Sequence, residues 1–113
     1  MDSILTSIKK LLGPSEESEH FDPDIIMHIN SAISTLTQIG VGPTSGFSIK
    51  GKEAVWNDFI PEDPRFESIK TYIYLSVKLV FDPPLNSAVL EAMKGKCSEY
   101  EWRLQVAADA TTI

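Results

Sequence analysis

Between Lys70 and Pro84 the chain reads KTYIYLSVKLVFDPP, a helical pattern apolar on nearly every side that runs straight into Asp-Pro-Pro. Ile69, Ile73, Val77 and Val80 fall three or four apart on one face, and Tyr72, Leu75 and Leu79 on a neighbouring one. A helix with two apolar stripes cannot lie on the surface of a small monomer, since one stripe would stay in water. It is wrapped either by other elements of its own chain or by another subunit. A chain of 113 residues has limited material for wrapping, which favours an assembling protein.

That length suits a single domain over 1–113 with one modest core, and 42% hydrophobic residues are ordinary for a globular chain. The net charge of −6 argues against a protein whose main task is gripping nucleic acid, which needs a clustered basic surface. The longest apolar stretch, Tyr72–Phe81, is ten residues long and contains Lys78, whereas a bilayer span takes roughly 20 apolar residues. The opening MDSILTSIKKLLG places its lysines after the apolar residues, the reverse of a secretory signal. The sequence therefore predicts a soluble protein that does not engage a membrane. A membrane-surface role for the short amphipathic N-terminus is the minor alternative.

Four helices are expected, over about 3–12, 22–39, 64–81 and 84–106, making a mainly α bundle with a long loop or short β-hairpin at 41–63. In the first, Ser3 is the N-cap, Ile4, Leu5, Ile8, Leu11 and Leu12 share one side, and Gly13-Pro14 ends it. The second opens with Asp22 as N-cap and Pro23 at the first helical position. Phe21 is placed to staple onto its first turn, Ile25, Ile29, Ile33 and Leu36 form its stripe, and Gly40 closes it at C′. In the glycine-punctuated segment that follows, Phe47-Ser-Ile49 and Glu53–Trp56 read as the two arms of the hairpin. The fourth helix, capped by Asp82-Pro83-Pro84, carries a 3-4-3-4 seam of Leu90, Met93, Cys97, Tyr100 and Leu104. Beyond 106 the pattern is lost, and 107–113 reads as a flexible tail.

Chemistry is hard to find. His20, His28 and Cys97 are the only soft ligands and show no metal-ligand spacing; His28 reads as a helix residue and Cys97 as a small core residue. Gly40–Gly46 follows a helix rather than a strand and lacks the ending of a phosphate-binding loop. No paired carboxylates suggest acid–base catalysis, so neither an enzyme nor a cofactor is expected. The large aromatics are either core residues or interface anchors. Trp56, Phe59, Tyr72, Tyr74 and Trp102 are the candidate subunit contacts, and Trp102 lies about half a turn off the seam.

The segments HFDPDIIMHINSAISTLTQIGVGP (20–43), GFSIKGKEAVWNDFIPEDPR (46–65), KTYIYLSVKLVFDPP (70–84) and EYEWRL (99–104) resemble the head–tail connector proteins, also called adaptor or head-completion proteins, of tailed phages and prophages of Gram-positive bacteria. The likeness spans about 20–106 and rests on packing and turn signatures rather than catalytic ones. The resemblance implies a helical subunit without enzymatic activity or cofactor. It implies a virion protein at the head–tail interface, made in the host cytoplasm, that joins a ring of usually twelve copies beneath the portal protein. The ring would extend the channel through which genomic DNA passes without specific binding, and would offer a platform to the next connector, stopper or tail protein. The C-terminal part engages the portal in related adaptors, which carries portal docking to Gln105, Val106, Ala107, Ala108, Asp109, Thr111 and Ile113. The competing readings are a small cytoplasmic regulator that homodimerises through the Leu90–Leu104 seam and, more remotely, a small hydrolase or transferase.

Overall fold

The computed structural model describes residues 3–13 and 19–111, with the backbone alone for 109–111. Among these residues there are five helices: α1 (Ile4–Leu12), α2 (Asp22–Gln38), α3 (Trp56–Phe59), α4 (Phe66–Phe81) and α5 (Ser87–Thr111). Among the described residues the only β-pairing is a single antiparallel bridge between Ser3 and Val55. The mainly helical architecture agrees with the expectation from sequence, and the differences lie in the caps and in the loop.

α4 is the axis of the molecule. Ile69, Tyr72, Ile73, Leu75 and Val77 are buried, and α2, α5 and α1 all pack on it. The two-stripe helix is thus wrapped by its own chain. Only at its C-terminal end does the apolar pattern run out of cover, where Val80 stands exposed. The start shifts from 64 to Phe66 because Asp63 folds the preceding turn. Its carboxylate accepts from the Arg65 backbone N–H at 2.8 Å and from the guanidinium at 3.0 and 2.8 Å.

In α1, Ser3 caps as expected, its Oγ accepting from the Thr6 N–H at 3.3 Å. Ile4, Leu5 and Ile8 enter the core, but Leu11 is exposed because the last turn overruns the surface of α4 and α2. Buried Ser7 accepts a hydrogen bond from Trp56 Nε1 at 3.0 Å and donates to Ser3 O at 2.7 Å. This fastens α1 to a residue 49 positions away.

α2 corrects one reading of the sequence. Phe21, not Asp22, holds the cap position, and Asp22 lies inside the helix. The Asp22 carboxylate pairs with Lys9 Nζ at 2.7 Å, an ion pair that outcompetes capping and ties α1 to α2. Phe21 packs edge-on against Phe81 of α4, with centroids 5.6 Å apart, so its ring contact reaches a neighbouring helix. The other end follows the pattern: the Val41 N–H reaches Leu36 O at 2.8 Å and the Gly40 N–H reaches Thr37 O at 3.2 Å, a Schellman closure with Gly40 at φ 96°. A Cβ at Gly40 would also sit 3.1 Å from Ala108 Cβ, so the same glycine lets α5 close against the end of α2.

The expected hairpin at 47–56 does not form, because each arm finds a better partner. The backbone of Ile49 is matched by the side chain of Asn30, which accepts from the Ile49 N–H at 2.8 Å and donates to Ile49 O at 2.9 Å. The second arm pairs with the chain's beginning, the Ile4 N–H donating to Ala54 O at 3.0 Å. It then coils into α3 so that Trp56 and Phe59 point into the core. Phe47 stacks on Phe59 at 5.2 Å, and Gly42 passes so close that a Cβ there would meet the Phe59 ring at 2.5 Å.

α5 begins at Ser87 rather than 84. Asn86, not the Asp-Pro-Pro turn, caps it, its Oδ1 accepting from the N–H groups of Ala88 and Val89 at 2.9 and 3.1 Å. The helix then passes the expected end at 106 and continues to Thr111. Leu104 and Ala108 are buried, so the segment expected as a tail from 107 is helical as far as Thr111 and anchored at Ala108.

Candidate functional site

The seam of α5 faces inward as its spacing predicts: Leu104 is buried, and Met93, Cys97 and Tyr100 are half-buried. It meets α4 through a small polar cluster in which Tyr72 donates to Glu101 Oε2 at 3.3 Å and Ser76 Oγ lies 3.5 Å from Cys97 Sγ. Burial, helped by the neighbouring Glu101 carboxylate, pushes the Tyr72 phenol up to about 12. Burial also pushes the Cys97 thiol up, so at neutral pH it is protonated and a poor nucleophile. Among the described residues, no group of three or more His, Cys, Asp and Glu is placed to hold a metal ion. What remains as a candidate site is surface.

The structure separates the aromatic candidates. Trp56 and Phe59, each 1% exposed, are pillars of the subunit's own core, and Tyr72 is buried beneath α5. Tyr74 is half-buried beside that core. Trp102 is the exception, 65% exposed on the outer side of α5, with Val106 one turn further along the same side and also exposed. Of the other C-terminal candidates, Gln105 is exposed, Ala107 half-buried and Ala108 turned inward. Asp109 and Thr111 belong to the helical backbone, and Ile113 lies outside the described residues.

A second apolar surface had no counterpart in the sequence reading. On the open side of α4 and α5 runs a groove of about 350 Å³, lined by Leu75 of α4 and by Val89, Ala92, Met93, Lys96 and Tyr100 of α5. The signal was present in α5, whose apolar residues fall on more faces than the seam accounts for. Val89 and Ala92 lie outside the seam, and neither is covered by the fold.

Charge is unevenly placed. Between 15 and 63 nine acids face two lysines, whereas from 64 onward six acids balance six bases. The α4–α5 half is therefore neutral, and the net negative charge rests with the linker, α2 and the loop.

A helical subunit with its last helix half uncovered fits a part of an assembly. A family model for phage connector proteins matches residues 4–111, a span that takes in all five helices. The chain belongs to the phage connector protein family. The connector family is one of structural proteins, so this chain is a virion component with a structural role in joining phage head and tail. No curated protein and no solved structure matches the connector. Among its described residues no helix is long and apolar enough to cross a membrane.

Proposed function

We propose that this connector acts without enzymatic activity as one subunit of a closed ring, of about twelve copies, seated beneath the portal at the head–tail interface. The carrying observation is α5. Its seam is half-buried against α4, yet Val89, Trp102 and Val106 remain exposed on its other sides. A helix with uncovered apolar residues on several faces gains from several neighbours at once.

In this reading Trp102, Val106 and Gln105 form the portal-docking patch. Ala108 anchors the end of α5 against Gly40 and so holds that patch rigid. The ring continues the DNA channel and offers its far side to the next connector, stopper or tail protein. A subunit charge of −6 makes a ring whose lumen repels DNA, which lets the genome pass without sticking. The competing homodimer reading relied on the Leu90–Leu104 seam, of which Cys97, Tyr100 and Leu104 pack within the subunit.

Co-sedimentation with purified cognate portal rings, followed by negative-stain imaging, tests the proposal. An added ring of density on the tail-facing end of the portal is the expected result. A connector that neither binds the portal nor adds density refutes it.

A further inference from the structure

The subunit is flat, measuring 43 × 35 × 19 Å, and the groove is lined by α4 and α5 but not by α2. α4 lies between α2 and α5. It meets α2 through Phe81, which touches the rings of Phe21 and His28, and α5 through Tyr72 and Ser76. At 100° per residue, Phe81, one of the α4 residues that meet α2, lies about 160° from the α5 contacts around the α4 axis. On the outward side of α2, Asp24, Met27, Ser31, Ser34 and Gln38 follow a three-four spacing, and all are exposed. Met27 is the only large apolar residue among them, 56% exposed.

We infer that in the assembled connector the α2 edge of one copy seats in the α4–α5 groove of the next, with Met27 entering beside Ala92 and Met93. The inference rests on the ring reading and names the contact that closes the ring. Two different patches on one subunit make a head-to-tail interface, which closes into a ring when the rotation per subunit divides a full turn without a rise.

Height along the helices supports the match. With the helices taken as parallel to the ring axis, rotation about that axis keeps every element at its own level, so the partner residue must already lie level with the groove. Ser76 stands beside Cys97 in the antiparallel α5, so Phe81, five residues on, is level with about position 92 at 1.5 Å per residue. Phe21 and His28 bracket Phe81, which puts the middle of that span, about position 24 to 25, at the same level. Met27 therefore lies about 4 Å further along, level with a point between Met93 and Lys96. That is the middle of the groove.

Cross-linking tests the contact. In a Cys97→Ser background, Met27→Cys is combined with Ala92→Cys; both sites are exposed, so the fold is unaffected. The protein is assembled on portal rings, treated with a short bis-maleimide and run on a denaturing gel. The expected result is a ladder of connector multimers that neither single variant gives. Met27→Glu is expected to raise the concentration needed for ring assembly at least tenfold, with an unchanged circular dichroism spectrum. Rings visible by negative stain but giving no ladder overturn this interface alone. So does a dimer from Met27→Cys by itself, which means α2 meets α2, or a ladder only when Met27→Cys is paired with Trp102→Cys. Absence of rings with the unmodified protein overturns the ring reading, and this contact with it.

Discussion

Asn30 offers the sharpest test of how the long loop is held. Its side-chain amide makes two hydrogen bonds, at 2.8 and 2.9 Å, to the N–H and C=O of Ile49, taking the place of a neighbouring strand. Ile49 is 2% exposed, so water does not readily replace a lost partner. Asn30→Ala removes both bonds and strands two backbone groups, at about 1–2 kcal/mol each, for a total of about 2–4 kcal/mol. With a urea m-value of about 2 kcal/mol/M, the midpoint falls by about 1–2 M. Buried Trp56 provides the fluorescence signal for the titration. Asn30→Asp separates the two bonds, because a carboxylate still accepts from the Ile49 N–H but repels the carbonyl that the amide had served. Facing that carbonyl favours the protonated acid in the folded state, raising its folded pKa. The variant is then most stable at low pH and loses stability as pH rises through that raised value. A midpoint for Asn30→Ala within about 0.3 M of the parent would show that the aromatic contacts alone hold the loop, refuting the reasoning.

Other perturbations probe the core and the turn before α4. Val77→Asp buries a charge at a position with no exposure and is expected to leave the protein insoluble, whereas Tyr74→Asp, half-buried, folds at reduced stability; expression and circular dichroism distinguish them, and equal behaviour contradicts the packing described for α4. Gly42→Ala drives a methyl into the Phe59 ring and strains a backbone at φ 84°, for a loss of about 2–3 kcal/mol in a urea melt. The side-chain hydrogen bonds from Arg65 hold the Asp63 carboxyl below its ordinary range, so its stabilising contribution is present above that range and disappears as pH falls through the lowered value. Asp63→Asn should accordingly flatten the acid limb of the stability profile below about pH 4, and an unchanged limb would assign the acid sensitivity elsewhere.

The four long helices were readable from sequence because each carries a periodic apolar stripe, joined in all but α5 by a recognisable stop. Ile25–Leu36 closed by Gly40, and Ile69–Val77 stopped by Asp-Pro-Pro, are the clearest cases. The loop was misread because its partners are distant in sequence. Nothing near Ile49 announces that an asparagine 19 residues earlier will pair with its backbone, nor that Ser3 will pair with Val55. The same limit applies to Asp22, a good cap by local rules that Lys9 recruits into an ion pair. At the candidate site, the exposure of Trp102 followed from its phase against the seam. Trp56 and Phe59 could not be separated from it by residue type alone. The α4–α5 groove depends on how two helices lean together, which a one-dimensional pattern does not record.

The hydrogen bond from Trp56 to Ser7, and the packing of both α1 and α2 on α4, also have a kinetic meaning. The first two helices leave the ribosome with little but each other to settle on, because the helix that receives them is encoded after residue 65. Helices of 9 and 17 residues are marginal alone in water. The subunit therefore folds late in its own synthesis, in one step that waits for α4. A nascent chain stalled at residue 60 should be digested readily by protease, and one long enough to expose residue 81 outside the exit tunnel should resist.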